Sequence, residues 1–298
     1  MSAGDAAILV TGARGQLGAE LVAALARCGR VVAVDRGALD LADPDAIVRT
    51  VRDVAPAWIV NAGAYTAVDR AEREPDLAYA VNARAPGVLA EEAKRAGAIL
   101  VHFSTDYVFD GAARAPYDEA APANPLNVYG ASKLAGERAV AAGGARALTL
   151  RTSWVYGLRG GNFLLTIRRL AAERDELRIV ADQTGVPNWC RALAEATAAI
   201  IAQGPDAVAE RAGLYHMSAA GETTWYGFAR AIVGDVPVPQ VVPIATAAYP
   251  TPARRPAYGV LATSRLRQAF GIELPDWRSL LQRCLAEPAE PTAQKRVA

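Results

Sequence analysis

Three glycines spaced by three, in Thr11-Gly12-Ala13-Arg14-Gly15-Gln16-Leu17-Gly18, stand between an apolar run at 6–10 and a helical pattern at 19–27 that Gly29 stops. A chain that leaves a strand, turns within a few residues and enters a helix opens a βαβ unit. Glycine serves the sharp turn, the close approach of backbone to a ligand, and the packing of helix on strand. The helix start then aims free backbone N–H groups and its positive dipole end at whatever lies over the turn, an arrangement suited to phosphate. Among 25 glycines the spacing alone is a weak signal. The strand before it, the helix after it and an acidic residue, Asp35, at the end of the next strand make it a dinucleotide site.

The rhythm repeats. Residues 31–34 read as a strand, 44–54 as a helix opened by Asp43, 58–60 as a strand, and 76–96 as helical up to Gly97; 99–103 and 147–150 are two more short buried strands. Short apolar strands alternating with helices predict an α/β fold, a Rossmann-like doubly wound parallel sheet covered on both faces. Beyond about residue 155 glycine and proline cluster at 157–161, 185–187 and 237–256. The expected organisation is a dinucleotide-binding domain at 1–155, with later sheet elements returning from about 180–220. A smaller, interleaved substrate-binding lobe takes most of 156–285. The segment 287–298, with two prolines and mixed charges, reads as a mobile tail.

Composition narrows the partners. The 32 basic and 31 acidic side chains of the 298 residues leave a net charge of +1, so nothing electrostatic draws the chain to nucleic acid or an anionic membrane. Cys28, Cys190 and Cys284 are odd in number and widely spaced, and read as reduced structural thiols, with no metal set. The first five residues lack a basic leader, and no apolar run reaches about 18 residues, so the expected location is the cytoplasm.

Two groups carry chemistry. Asp35 is placed to accept hydrogen bonds from an adenosine ribose, which favours NADH. Arg36 and Arg14 offer guanidinium groups to a 2′-phosphate, so NADPH is the leaning and NADH is expected to be usable. Tyr129 and Lys133, in Tyr129-Gly130-Ala131-Ser132-Lys133, fall one helical turn apart on one face. A neighbouring ammonium favours phenolate and brings a phenol toward the working pH range. With ten tyrosines and three lysines in 298 residues, chance supplies roughly 0.1 pairs at this spacing, which makes the pair informative. Ser104-Thr105-Asp106 ends the strand at 99–103, where open α/β sheets bind ligands, and either Thr105 or Ser104 can polarise a carbonyl there.

With these features the chain resembles the extended short-chain dehydrogenase/reductases, and among them the nucleotide-sugar reductases that act on dTDP-4-dehydrorhamnose. Beyond the glycine turn and the Tyr-Lys pair, the resemblance rests on Val60-Asn61-Ala62-Gly63-Ala64-Tyr65-Thr66-Ala67-Val68-Asp69 and Ser104-Thr105-Asp106-Tyr107-Val108-Phe109-Asp110-Gly111. It rests also on Asn127-Val128-Tyr129-Gly130 and Arg151-Thr152-Ser153-Trp154-Val155-Tyr156-Gly157. It implies that Thr105, Tyr129 and Lys133 are catalytic, with Tyr129 and Lys133 also meeting the cofactor (Lys133 at the nicotinamide ribose) and Thr105 and Tyr129 meeting the substrate, and that Gly12, Gly15, Gln16, Leu17 and Gly18 hold the pyrophosphate. It also implies that Asp40 and Leu41 flank the adenine, that Ala62, Ala64 and Tyr65 lie along the cofactor, and that Asn82 supports the active-site sheet. For a nucleotide-sugar substrate it points to Val68, Asp69, Asp106, Trp154 and Asn162, the last within a Gly-x-Asn-Phe element, and to Arg255 for the diphosphate.

The implied activity is NADPH-dependent reduction of a 4-keto sugar, by a monomer or homodimer. The family's other activities, epimerase or dehydratase, and a non-catalytic NADP-binding regulatory subunit are the rivals. Dehydratases of the group carry an Asp-Glu pair after the catalytic hydroxyl, whereas Thr105 is followed by Asp106-Tyr107. The chain departs from the pattern at Asn188-Trp189-Cys190-Arg191, where some members place a metal-associated glutamate, and at Ala257-Tyr258-Gly259. Arg191 cannot ligate a metal, which puts a metal-linked dimer in doubt.

Overall fold

The computed structural model describes residues 7–287; the segments 1–6 and 288–298, with the expected leaderless start and nearly all of the expected mobile tail, lie outside the described residues. Six parallel strands form the central sheet: β1 (Ala7–Thr11), β2 (Arg30–Val34), β3 (Trp58–Asn61), β4 (Ile99–Thr105), β5 (Arg146–Thr152) and β6 (Gly213–His216). Their order is β2-β1-β3-β4-β5-β6. Every residue of β1, β3 and β4 is buried, because helices cover both faces. Alternate side chains divide between two cores. Ile8, Val10, Val60, Val101 and Leu150 pack with Leu21 and Leu25 on one face. Leu9, Ile59 and Leu100 pack with Ile47, Val51 and Leu89 on the other.

The helices follow local rules. Helix α1 (Gln16–Leu25) begins directly after Gly15 and ends before Gly29, with the Cys28 N–H turning back onto the Leu25 carbonyl. Helix α2 (Pro44–Val54) is capped by the Asp43 carboxylate, which accepts from the N–H groups of Asp45 and Ala46, with proline at its first position. The expected helix at 76–96 is interrupted. It runs as α3 (Pro75–Tyr79), a π turn (Ala80–Arg84) and α4 (Ala85–Ala96), the last closed by Gly97 in the left-handed conformation. Helix α5 (Val128–Gly143) packs against this stretch.

The chain steps from β1 to β2 on one side and then crosses over to β3 on the other side of β1, so the carboxyl ends of β1 and β3 border the crevice where such sheets take ligands. Beyond β5 lie α6 (Phe163–Glu173), α7 (Cys190–Ile201) and α8 (Trp225–Val233). A two-stranded parallel ribbon pairs Glu176–Val180 with Gln240–Ile244. Phe228, Trp277 and Tyr156 from this half belong to the same core as Val10 and Leu150, so the later segments are packed onto the sheet.

Candidate active site

The glycine turn is shaped by sterics. Gly12 sits at φ +69, and a Cβ there would come within 2.6 Å of the Gly63 backbone, so the loops after β1 and β3 pass each other only without side chains. A Cβ on Gly18 would stand 2.1 Å from the Gly12 carbonyl, which brings the start of α1 down onto the turn. A cleft of about 530 Å³ begins here, lined by Gly12, Gly15, Gln16 and Leu17, passes Ala62 and Ala64, and ends among Thr105, Tyr129, Lys133 and Trp154. An adjoining recess of about 160 Å³ is bounded by Asp40, Leu41, Ala64 and Tyr65. Gly18 packs behind the turn and is not among the lining residues.

Asp35 and Arg36 both line the cleft. One Asp35 oxygen accepts from the N–H groups of Gly37 and Ala38, and the other is 2.6 Å from Nε of Arg14, whose side chain is otherwise exposed. Much of the capacity of this carboxylate to accept a ribose hydroxyl is therefore taken up by the Arg14 guanidinium and the two N–H groups, while Arg36 lines the same cleft.

Asn127 caps α5, accepting from the Gly130 N–H while its amide donates to the Arg254 carbonyl, and this sets Tyr129 in the first turn at the cleft wall. Lys133, one turn on, is 2% exposed and donates through Nζ to the Phe103 carbonyl at 2.6 Å. Burial pulls this ammonium down to about 8, an effect partly offset by the Glu137 carboxylate on the next turn. Burial pushes the Tyr129 phenol up to about 12; the adjacent Thr105 hydroxyl lowers it and the Asp106 carboxylate raises it. The ammonium is directed at the strand backbone, and burial dominates at the phenol.

The structure also chooses between the two hydroxyls. Ser104 donates to Glu137 at 2.5 Å, within a buried ion pair of Glu137 and Arg151 closed at 2.7 Å. Thr105 lies beside the phenol, donates to Asp106 at 3.1 Å and accepts from the Tyr107 N–H. Asp106 is 2% exposed, and burial raises its carboxyl to about 7. Asn82 is buried in the π turn, where it accepts from the Tyr65 N–H and donates to the Tyr65 carbonyl and the Ser132 hydroxyl.

Other expected residues are placed less directly. Val68 lines the cleft. Asp69 and Arg255 form a bidentate pair at 3.0 and 2.8 Å, with Arg255 also held by Thr251 and the Ala253 carbonyl, and neither is among the lining residues. Asn162 does line it, but its side chain caps α6 at Leu165 and ties to Gln16. Arg191 pairs with Glu20 and Glu287, and no metal-binding cluster of three or more His, Cys, Asp or Glu occurs among the described residues. The three cysteines are free thiols, with Cys190 and Cys284 buried.

Sequence reasoning missed Thr152 and Trp225, both at the cleft. Thr152 ends β5, and the rule that ligands meet strand carboxyl ends signalled it; its buried Oγ1 has no partner among the described residues. Trp225, from the start of α8, carried no local signal.

The model of the "RmlD substrate binding domain" family matches residues 6–289. A dTDP-4-dehydrorhamnose reductase of Burkholderia thailandensis is 52% identical, the alignment covering 94% of this chain and 98% of that protein. The corresponding reductase of Escherichia coli K12 is 44% identical, covering 96% and 99%. The crystal structure of the Bacillus anthracis dTDP-4-dehydrorhamnose reductase in complex with NADP superposes with a TM-score of 0.88 at 35% identity, covering 95% of this chain and all of that one. Agreement of this extent in sequence and fold places the chain in the RmlD substrate-binding-domain family, together with the dTDP-4-dehydrorhamnose reductases.

Proposed function

We propose that the protein reduces the 4-keto group of dTDP-4-dehydro-β-L-rhamnose to give dTDP-β-L-rhamnose, the last step of dTDP-rhamnose biosynthesis, with NADPH as reductant and NADH also usable. The supporting observation is a single cleft that runs from the Cβ-free turn of Gly12 to Thr105, Tyr129 and Lys133, in a chain so similar to named reductases. The fit to a dinucleotide rests on that turn and on the backbone N–H groups at the start of α1.

In this reading Gly12, Gly15, Gln16 and Leu17 hold the pyrophosphate, Gly18 lets α1 close on it, and Asp40, Leu41, Ala62, Ala64 and Tyr65 border the adenosine half. Arg36 and Arg14 take the 2′-phosphate beside Asp35. Bound NADPH supplies the hydride. Thr105 donates a hydrogen bond to the carbonyl oxygen, and Tyr129 delivers the proton that turns it into hydroxyl. Lys133 fixes the strand end and contributes positive charge beside the site. Asp106, Val68, Asp69 and Trp154 bound the sugar; Arg255 serves the diphosphate once its pair with Asp69 opens, and Asn162 shapes the rim through α6. Residues 156–285 act mostly as the substrate lobe. No described helix is long and apolar enough to cross a membrane. The proposed setting is the cytoplasm, as a monomer or homodimer.

The test follows NADPH and NADH oxidation with substrate made in place from dTDP-glucose by a dehydratase and an epimerase. Oxidation that requires the epimerase and yields dTDP-rhamnose supports the assignment. No oxidation of either cofactor, with the upstream enzymes demonstrably working, removes it.

A further inference from the structure

Trp154 ends the loop after β5 in a conformation that side chains rarely adopt, φ +43. Its carbonyl accepts from the Asn188 N–H at 3.1 Å. A Cβ on Gly185 would lie 2.6 to 2.9 Å from three ring atoms of Trp154, closest to the fusion atom Cε2, so the Gly185 backbone lies under one face of the indole. The other face carries Trp225, stacked at 3.5 Å between centroids and 7° between planes. Both rings are half-buried at the cleft, and Phe163 leans on Trp225 at 4.6 Å.

The stack has a steric consequence. A separation of 3.5 Å is van der Waals contact between flat rings, so nothing can slide between the two indoles. Trp154 therefore shows a ligand only its edge. Trp154 is anchored through its backbone and Gly185, whereas Trp225 is the first residue of α8, where a side-chain rotation leaves the helix intact.

We propose that Trp225 is a displaceable resident of the substrate site: it occupies the face of Trp154 that a ring face of the nucleotide sugar takes on binding, and it swings away as the ligand enters. This rests on the nucleotide-sugar reading above. Trp225 thereby contributes to specificity, because a ligand whose ring stacks on Trp154 recovers the contact that the indole gives up, and one without such a ring does not. Displacing it costs the ligand about the worth of one aromatic pair, which corresponds to roughly 2- to 10-fold in affinity.

The test is a binding measurement on the whole protein with dTDP and with dTDP-rhamnose, by calorimetry and by the circular-dichroism couplet of the coupled indoles. The couplet is expected to collapse at saturation, with dTDP alone if the thymine is the incoming ring and only with dTDP-rhamnose if the hexose is. Trp225→Leu, which keeps apolar contact with Phe163, is expected to bind the displacing ligand 2- to 10-fold more tightly, whereas a fixed wall residue would lose affinity on the same change. Binding with an intact couplet, or weaker binding by Trp225→Leu, overturns the displacement and leaves the reductase reading standing. Failure of both ligands to bind the folded protein overturns the nucleotide-sugar reading and the displacement with it.

Discussion

In the proposed mechanism Tyr129 is the proton donor, and burial pushes its phenol up to about 12, which keeps it protonated across the useful pH range. Two groups beside it titrate within that range, Asp106 at about 7 and, above it, Lys133 at about 8. Loss of the Lys133 charge removes the positive potential beside the phenol, so turnover is expected to fall as pH rises through about 8; steady-state rates that stay flat from pH 7 to 10 contradict this. Tyr129→Phe removes the proton donor and should lower kcat by roughly 10²- to 10⁴-fold with cofactor affinity little changed, measured by rates and by cofactor titration. Lys133→Met should also abolish most turnover, yet stabilise the fold. Its ammonium is buried with a single carbonyl partner, and replacing a poorly compensated charge by an apolar chain of similar length removes a desolvation cost. A rise of roughly 2–4 °C in Tm is expected, and a fall would contradict the account. The residue types and their spacing were legible in the sequence. Their electrostatics were not, because burial and the direction of Nζ depend on which strand α5 lies against.

Among the elements, α2 was legible to the residue, since Asp43, Pro44 and the charge pattern are local signals that need no partner. The stretch from Pro75 to Ala96 was read as one helix, and its π turn escaped because it exists to bury Asn82 against the loop at Tyr65 and the helix at Ser132, contacts 17 and 50 residues away. Asn82→Ala leaves the Tyr65 N–H and carbonyl without their side-chain partner. It is expected to lower Tm by roughly 2–6 °C, as for about 1–3 kcal/mol, and to reduce kcat/KM; unchanged melting contradicts the tie. The sharp glycine turn into α1 was legible, but the Arg14 to Asp35 pair was not. With Asp35 so engaged, Arg36→Ala should raise KM for NADPH about tenfold and leave KM for NADH nearly unchanged. Equal effects on both cofactors would remove Arg36 from the 2′-phosphate.

Across the whole molecule, the two histidines are buried where the fold favours their neutral form. His216 is lowered to about 3 and His102 well below its ordinary value, each mainly by desolvation. For a depressed group the stability is present above the unfolded value, near 6.5, and is lost as pH falls below it. Asp106, raised to about 7, works the other way: its contribution is present below the unfolded carboxyl value and lost as pH rises through 7. Between about pH 6 and 4 two histidines oppose one carboxyl, so stability should fall by up to ~1.4 kcal/mol per pH unit, the value for one net proton. Chemical denaturation from pH 7 to pH 4.5 checks this, and His216→Gln should flatten the slope. By itself the sequence determined the alternation of strand and helix, the turn at Gly12 and the Tyr129 to Lys133 spacing, because each is written in neighbours along the chain. Only the tertiary structure decided that Thr105 and not Ser104 meets the phenol, that Asp69 and Arg255 pair, and that Trp225 covers Trp154. The physical reason is that these contacts join residues from separate strands and helices, and which of them meet is set by the packing of the sheet.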